Sequence, residues 1–133
     1  MSARVKRWGA MLDTRIVLAG LWAALMFVFL LGDVIRIFAG DFVAGELAGE
    51  AATPAMWMLV AVIMLTPIAM LVLTLTTPYP AIRWVCIGAA VLWVLLNLAG
   101  LPYKGAYDNF LIVVSFGLCA LIVWYAWTWR MPV

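Results

Sequence analysis

Long apolar runs alternate with short polar connections along this chain, and that alternation predicts its architecture. Four runs, at about 16–39, 55–76, 83–100 and 110–128, come close to or exceed the roughly 20 residues that a helix needs to cross a membrane. Hydrophobic residues make up 69% of the chain and charged residues 11%, which would leave a soluble domain with an apolar surface. We therefore expect an all-α membrane protein, an antiparallel up-down bundle of four transmembrane helices that forms a single domain over residues 1–133.

The connections between the runs differ in length and in turn residues. Residues 77–80, with the sequence TPYP, separate the second and third runs. Each proline lacks an amide donor and disfavours helix in the residue before it, so this link predicts a tight turn between adjacent antiparallel helices. The loop at 40–54 is longer, contains three glycines, and has room for a short surface helix.

Small and polar residues recur at helical spacing and predict which faces pack inside the bundle. Small side chains allow the close backbone approach on which the packing of membrane helices depends. In the first helix the predicted inward stripe is Gly20, Ala24, Val28, Gly32 and Arg36. In the third helix it is Cys86, Ala90, Trp93, Asn97 and Gly100, and in the fourth it is Asp108, Ile112, Ser115, Cys119, Ile122 and Ala126.

Charge is distributed unevenly between the two sides of the predicted bundle. The basic residues of one side are Arg4, Lys6, Arg7, Arg15, Arg83 and Arg130. The other side has Lys104 together with the acidic residues Asp41, Glu46, Glu50 and Asp108. By the positive-inside rule both termini are expected in the cytoplasm. Topology therefore explains the basic N-terminus, and no nucleic-acid partner is needed.

Polar residues near the outer ends of the helices form the best functional lead. At about 1.5 Å per helical residue, Asp33 and Asn97 lie roughly 5 to 10 Å inside the membrane boundary, with Arg36 nearer the surface and Asp108 and Asn109 at it. Charge in hydrocarbon is costly, so such residues usually face a bundle interior or a watery cavity. Two interpretations remain open. One is a structural Asp33–Arg36 pair capped by Asn97, and the other is a ligand, ion or proton site.

A proline interrupts the second predicted helix near its middle. Pro67, preceded by Thr66, cannot donate a hydrogen bond to the carbonyl of Ile63 and should kink or loosen the helix. A kink of this kind is either a possible hinge or a fixed feature of the packing, because neighbouring hydroxyls and waters can satisfy the released carbonyl. The fixed, geometric role is the favoured interpretation.

Several chemistries conflict with the residue types present. The chain contains no histidine, which excludes bis-histidine haem ligation, histidine-bearing zinc sites and a Ser-His-Asp triad. The two cysteines, Cys86 and Cys119, form no C-x-x-C motif. We therefore expect no catalytic residues, no metal site and no cofactor.

Several segments together resemble a known family. They are residues 21–26 (LWAALM), 32–34 (GDV), 66–70 (TPIAM), 78–79 (PY), 83–84 (RW) and 124–130 (WYAWTWR). In order and spacing they are similar to a family of small bacterial four-helix membrane proteins classed as a domain of unknown function. The resemblance implies a four-helix fold and the bacterial cytoplasmic (inner) membrane, and it implies no activity.

Two functional hypotheses of different classes follow. The first is a non-enzymatic structural or accessory membrane module, in contact with the lipid bilayer and with a second copy or another membrane protein, whose polar cluster is structural. The second is a small ion- or proton-coupled carrier or channel that uses Asp33, because carboxylates inside membranes often mark ion pathways. A continuous polar route inward from Asp33 would favour the second hypothesis.

Overall fold

The computed structural model describes residues 13–47, 49–101 and 105–129. Four helices account for most of them: α1 (Thr14–Phe38), α2 (Pro54–Thr76), α3 (Ala81–Gly100) and α4 (Ala106–Thr128). Each is long and apolar enough to cross a membrane, which indicates a multi-pass membrane protein and confirms that part of the predicted fold. The basic residues Arg4, Lys6, Arg7, Lys104 and Arg130, on which the predicted orientation depends, lie outside the described residues.

Local signals explain where the helices begin and end. The side chain of Asp13 caps α1 by accepting a hydrogen bond from the amide of Arg15 at 3.1 Å. Thr53 caps α2 in the same way, and Pro54 occupies the first helical position, where a missing amide costs nothing. The TPYP link then ends α2. The fourth helix begins at Ala106, four residues before the predicted start at 110, so Asp108 lies in its first turn.

The loop between α1 and α2 contains a small β-hairpin where the sequence allowed a short surface helix. Strands β1 (Glu46–Leu47) and β2 (Glu50–Ala51) pair antiparallel. Gly45 and Gly49, with φ of 84° at both positions, flank β1 in the left-handed region that glycine adopts without strain. The glycines therefore favour tight turns in this loop and disfavour the surface helix.

Contacts between helix ends establish the antiparallel arrangement. Arg15 at the start of α1 donates to the carbonyls of Thr74 and Thr77 at the end of α2, at 2.7 Å each. Arg83 at the start of α3 donates to Ala126 and Trp127 near the end of α4, at 2.9 and 2.6 Å. We call this end of the bundle the Arg83 end, and the opposite end the Asp33 end.

The helices are ordered α2–α1–α4–α3 in space, because the extensive interfaces are α1 with α2, α1 with α4, and α3 with α4. The second and third helices contact each other far less, although a short turn joins them. Their contact near the turn includes Thr74 and Cys86, whose side-chain oxygen and sulfur lie 3.5 Å apart. The prediction that these helices are close neighbours therefore holds only near the Arg83 end.

The buried core fills the Arg83 half of the bundle. The predicted inward faces of α3 and α4 are confirmed at every position except Gly100, which is exposed. The predicted stripe of α1 is wrong in its first half, since Gly20 is exposed and the buried residues there are Leu18, Ala19, Trp22 and Leu25. Three of these four are large apolar side chains, so the core there is filled mainly by large residues.

Arginine side chains hold the Arg83 end together by a mechanism that can be tested. The last four carbonyls of a helix have no partner within it, and a guanidinium is both a multiple donor and a favourable charge at that position. The guanidinium of Arg83 also lies over the rings of Trp84 and Trp127, at 4.9 and 5.5 Å from their centroids.

We predict that Arg83→Gln lowers the free energy of unfolding by about 1 to 2 kcal/mol, because the carbonyls of Ala126 and Trp127 lose charged donors. Thermal unfolding in a non-ionic detergent measures this loss. Arg83→Lys is the matched control, since it keeps the charge but not the fork of donors, and it should lose less. Wild-type stability in Arg83→Gln would show that the contact contributes nothing.

Candidate functional site

The central feature of the Asp33 end is an ion pair between α1 and α4. Arg36 donates from Nε to Oδ2 of Asp108 at 3.1 Å and from Nη2 to Oδ1 at 3.0 Å. This is a two-point contact of the kind that matches a planar guanidinium to a carboxylate. The side chain of Asp108 is only 8% exposed, so its charge depends on Arg36 for compensation.

Helix geometry brings these two residues together. Arg36 lies in the last turn of α1 and Asp108 in the first turn of α4, where their charges complement the helix dipoles. The packing between them includes Gly32, where an added Cβ would lie 3.8 Å from Oδ1 of Asp108 and 3.6 Å from Leu111. Both distances are ordinary van der Waals contacts, so the backbone of α1 at Gly32 lies about one methyl group away from α4.

Asp33 is a second, weaker partner of the same arginine. Nη1 of Arg36 lies 3.2 Å from Oδ1 of Asp33, as the i, i+3 spacing predicts. The side chain of Asp33 is 53% exposed, and its other oxygen, Oδ2, accepts no hydrogen bond within the described residues. Two carboxylates therefore share one guanidinium, which leaves the cluster with an excess negative charge.

The structure places Asn97 in a different contact from the predicted cap on the Asp33–Arg36 pair. Its amide donates to the hydroxyl of Ser115 at 3.3 Å, and Ser115 in turn donates to the carbonyl of Ile112 at 2.6 Å. Asn97 thus ties α3 to α4 below the ion pair. Asn109 follows Asp108 in the first turn of α4 and is not among the residues that line the cavity described next.

A partly open cavity of about 240 Å³ lies at the Asp33 end between all four helices. It occupies the space that the divergence of α2 and α3 leaves, and its polar lining residues are Asp33, Arg36, Asn97 and Asp108. At its deep end the rings of Phe29 and Trp93 pack against each other with centroids 4.7 Å apart. The charged residues therefore line the part of the cavity nearest the helix ends, and the aromatic pair lines the deeper part.

Trp93 carries an unsatisfied group in the wall of this cavity. The residue is 4% exposed, and its indole nitrogen is buried without a hydrogen-bond partner among the described residues. Buried indole N–H groups usually find an acceptor, because a bare donor in an apolar interior costs free energy.

Below the aromatic pair the bundle is packed. Trp22, Leu25, Met70 and Ala90 belong to one continuous buried cluster there. Neither Thr66 nor Pro67 lines the cavity at the Asp33 end. Pro67 is fully buried inside an α2 helix that continues to Thr76, and the hydroxyl of Thr66 donates to the carbonyl of Val62 at 3.4 Å.

The loop between α1 and α2 is fastened beside the ion pair. The phenol of Tyr107, in the first turn of α4, donates a hydrogen bond to Oδ2 of Asp41. Asp41 lies just beyond α1, so this contact ties the start of the loop to the same helix end that carries Asp108. At the Asp33 end α4 is thus linked both to α1, through Arg36 and Asp108, and to the loop that follows α1, through Tyr107 and Asp41.

The chemistry of this arrangement is electrostatic. Within the described residues no group of three histidine, cysteine or acidic side chains could hold a metal ion. Both cysteines are free and buried, and the hydroxyl of Ser115 is fully buried and donates to a backbone carbonyl. What the cluster offers a ligand is a half-exposed carboxylate, that of Asp33, beside the ion pair of Arg36 and Asp108.

Two features of the site were not identified from the sequence. The first is that Asp108 is the principal partner of Arg36. The sequence did contain a signal for this pair, since both residues belong to the same end of two predicted antiparallel helices. The second is Trp93, which was expected to be a packing residue only. Its position one helical turn before Asn97 was the available signal, since both residues lie on the inward face of α3.

No protein-family model, curated protein or solved structure matches the chain. The resemblance to a bacterial family of unknown function therefore stays an expectation from the sequence.

The two aspartates should differ in their contributions to stability. Asp108→Asn leaves the guanidinium without its buried counter-charge and should cost about 2 to 4 kcal/mol. The same change at the half-exposed Asp33 should cost no more than about 1 kcal/mol. Thermal unfolding of both variants in detergent measures the difference. Equal losses, or a larger loss at Asp33, would contradict the assignment of Asp108 as the principal partner.

Proposed function

We propose that this chain is a non-enzymatic membrane module whose polar cluster stabilises one end of the bundle. The observation that carries the proposal is the two-point contact between Arg36 and the buried Asp108, which joins the first and last helices. Buried ion pairs are costly to break, so a cluster of this kind is well suited to fix helix register. The absence of histidine from the sequence and the burial of both thiols support a module without catalysis.

The closed half of the bundle favours a module over a carrier. A transport route from Asp33 would need further polar steps, for which Thr66, Ser115 and Cys119 are the candidates. Ser115 and Cys119 are fully buried. The hydroxyl groups of Thr66 and Ser115 each donate a hydrogen bond to a backbone carbonyl. None of the three residues lines the cavity that contains Asp33.

The carrier hypothesis keeps one observation in its favour. Asp33 is half-exposed and lines a cavity that reaches inward between the helices. A carboxylate in such a position can exchange a proton or a cation with the surroundings. For transport, however, the aromatic pair Phe29–Trp93 and the packed residues below it would have to separate.

A second copy of the chain or another membrane protein is the proposed partner of the module. Many large apolar side chains are exposed on the outside of the four helices, as expected for surfaces that face lipid or another helix. Among them, a shallow and almost wholly apolar groove runs between α3 and α4, beside Val91, Phe116 and Ala120. The lipid bilayer is the default occupant of these surfaces.

We place the module in the bacterial cytoplasmic membrane with both termini in the cytoplasm. The support is the distribution of charge, because six of the eight basic residues belong to the Arg83 end by sequence and five of the six acidic residues to the Asp33 end. The Asp33 end then faces away from the cytoplasm. The family resemblance supports the choice of membrane.

A flux assay distinguishes the module from the carrier. The protein in liposomes with a trapped pH dye, driven by a potassium diffusion potential, should pass protons no faster than protein-free liposomes. Asp33→Asn should behave identically, and Glu46→Gln is the matched control because it removes an exposed carboxylate from the loop. Flux that exceeds the background and disappears only in Asp33→Asn would replace the module by the carrier.

Cysteine labelling tests the orientation. In a Cys86→Ser, Cys119→Ser background, a membrane-impermeant maleimide added to intact cells should label Glu46→Cys and Lys104→Cys. Lys6→Cys and Arg130→Cys should react only after the cells are permeabilised, because the basic side faces the cytoplasm. External labelling at either of the last two positions would reverse or disprove the proposed topology.

A further inference from the structure

The cavity at the Asp33 end has features that a purely structural cluster does not need. It lies between four helices, it is partly open, and its wall contains an exposed carboxylate, a guanidinium paired with two carboxylates, and an aromatic pair. Binding sites for small molecules combine an apolar body with a few polar groups that fix orientation. This cavity has that composition.

The charges select the kind of ligand. Arg36 already donates to both carboxylates, so an anion would have to compete with Asp33 and Asp108 for it. A cation meets the opposite situation, because Oδ2 of Asp33 accepts no hydrogen bond within the described residues and the side chain is 53% exposed.

The deep end of the cavity selects the rest of the ligand. Phe29 and Trp93 present aromatic surface there, and Val28, Met64 and Leu111 add apolar wall. Trp is the best aromatic partner for a cation, and apolar or aromatic groups gain free energy on such a surface.

Size sets a further limit. An apolar cavity of roughly 150 Å³ is enough to hold benzene. At about 240 Å³ the cavity has room for a somewhat larger molecule, such as one aromatic ring with a short cationic group. A lipid with two acyl chains would not fit inside it.

We propose that this cavity is a binding site for a small organic cation, with its ammonium group at Asp33 and its apolar body against Phe29 and Trp93. The site goes beyond the structural role of the ion pair, since Arg36 and Asp108 hold the wall while Asp33 supplies the ligand contact. The cavity ends at a packed core, so the cation would bind without crossing the bundle. In this proposal the module is a receptor for such a cation.

The test uses benzyltrimethylammonium as the cationic probe, with neopentylbenzene as its uncharged isostere and phenylmethanesulfonate as an anion of similar size. The purified protein in a non-ionic detergent is titrated while the indole N–H resonance of Trp93, assigned with Trp93→Phe, is followed by ¹⁵N NMR. Calorimetry of the same titration gives the dissociation constant. The cation should shift the Trp93 resonance saturably and should bind more tightly than either analogue.

Variants locate the interaction. Asp33→Asn should weaken binding of the cation about tenfold, the loss expected for one charge-assisted contact. Glu46→Gln is the matched control and should bind as the wild type does, because it removes a carboxylate outside the cavity. Met64→Trp fills the cavity while every charge stays in place, and it should abolish binding even if Asp33→Asn proves unstable.

Each other outcome would overturn the proposal. Equal affinity for the uncharged isostere would reduce the site to an apolar cleft, and tighter binding of the sulfonate would assign the ligand contact to Arg36. Wild-type affinity in Asp33→Asn or Met64→Trp would place the cation elsewhere. The absence of a saturable shift at millimolar probe would show that the cavity is not a site for organic cations. The flux assay is independent of these results, so failure here leaves the module proposal intact.

Discussion

Charge placed inside an apolar bundle must be compensated, and the structure of the Asp33 end depends on that requirement. Arg36 and Asp108 lie on helices that are far apart in sequence, and neither side chain is fully exposed. Once α1 ends with an arginine and α4 begins with an acid, antiparallel packing of the two helices is the arrangement that pairs them. Asn97 with Ser115 secures the third helix to the fourth just below.

The two ends of the bundle use arginine differently, and the difference explains why one end is closed and the other has a cavity. At the Arg83 end, guanidinium groups donate to helix carbonyls and stack on tryptophan rings, which draws α1 toward α2 and α3 toward α4. At the Asp33 end a single guanidinium serves two carboxylates and links α1 with α4 only. The second and third helices have no comparable link there within the described residues, so the space between them remains as the cavity.

The sequence predicted the helices well and the site only partly, for physical reasons. A polar residue in an apolar run must face inward, so the buried faces around Asn97 and Ser115 were predictable. Leu18, Trp22 and Leu25 were not assigned to the core, because a leucine that faces a neighbouring helix looks identical in sequence to one that faces lipid. Asp33 was identified as the partner of Arg36 from the i, i+3 spacing, which is a local signal. Asp108 required the tertiary arrangement, because its contact with Arg36 depends on how α1 and α4 pack.

Arg36 and Asp108 stabilise the bundle as a pair. The most direct measurement is the coupling free energy from a cycle of Arg36→Met, Asp108→Leu and the double variant, each unfolded thermally in detergent. Each single change leaves a charge without its partner, whereas the double change replaces the pair by apolar groups that suit the interior. We expect the double variant to be at least as stable as either single variant, with a coupling of about 2 kcal/mol or more. Additive losses would contradict this expectation.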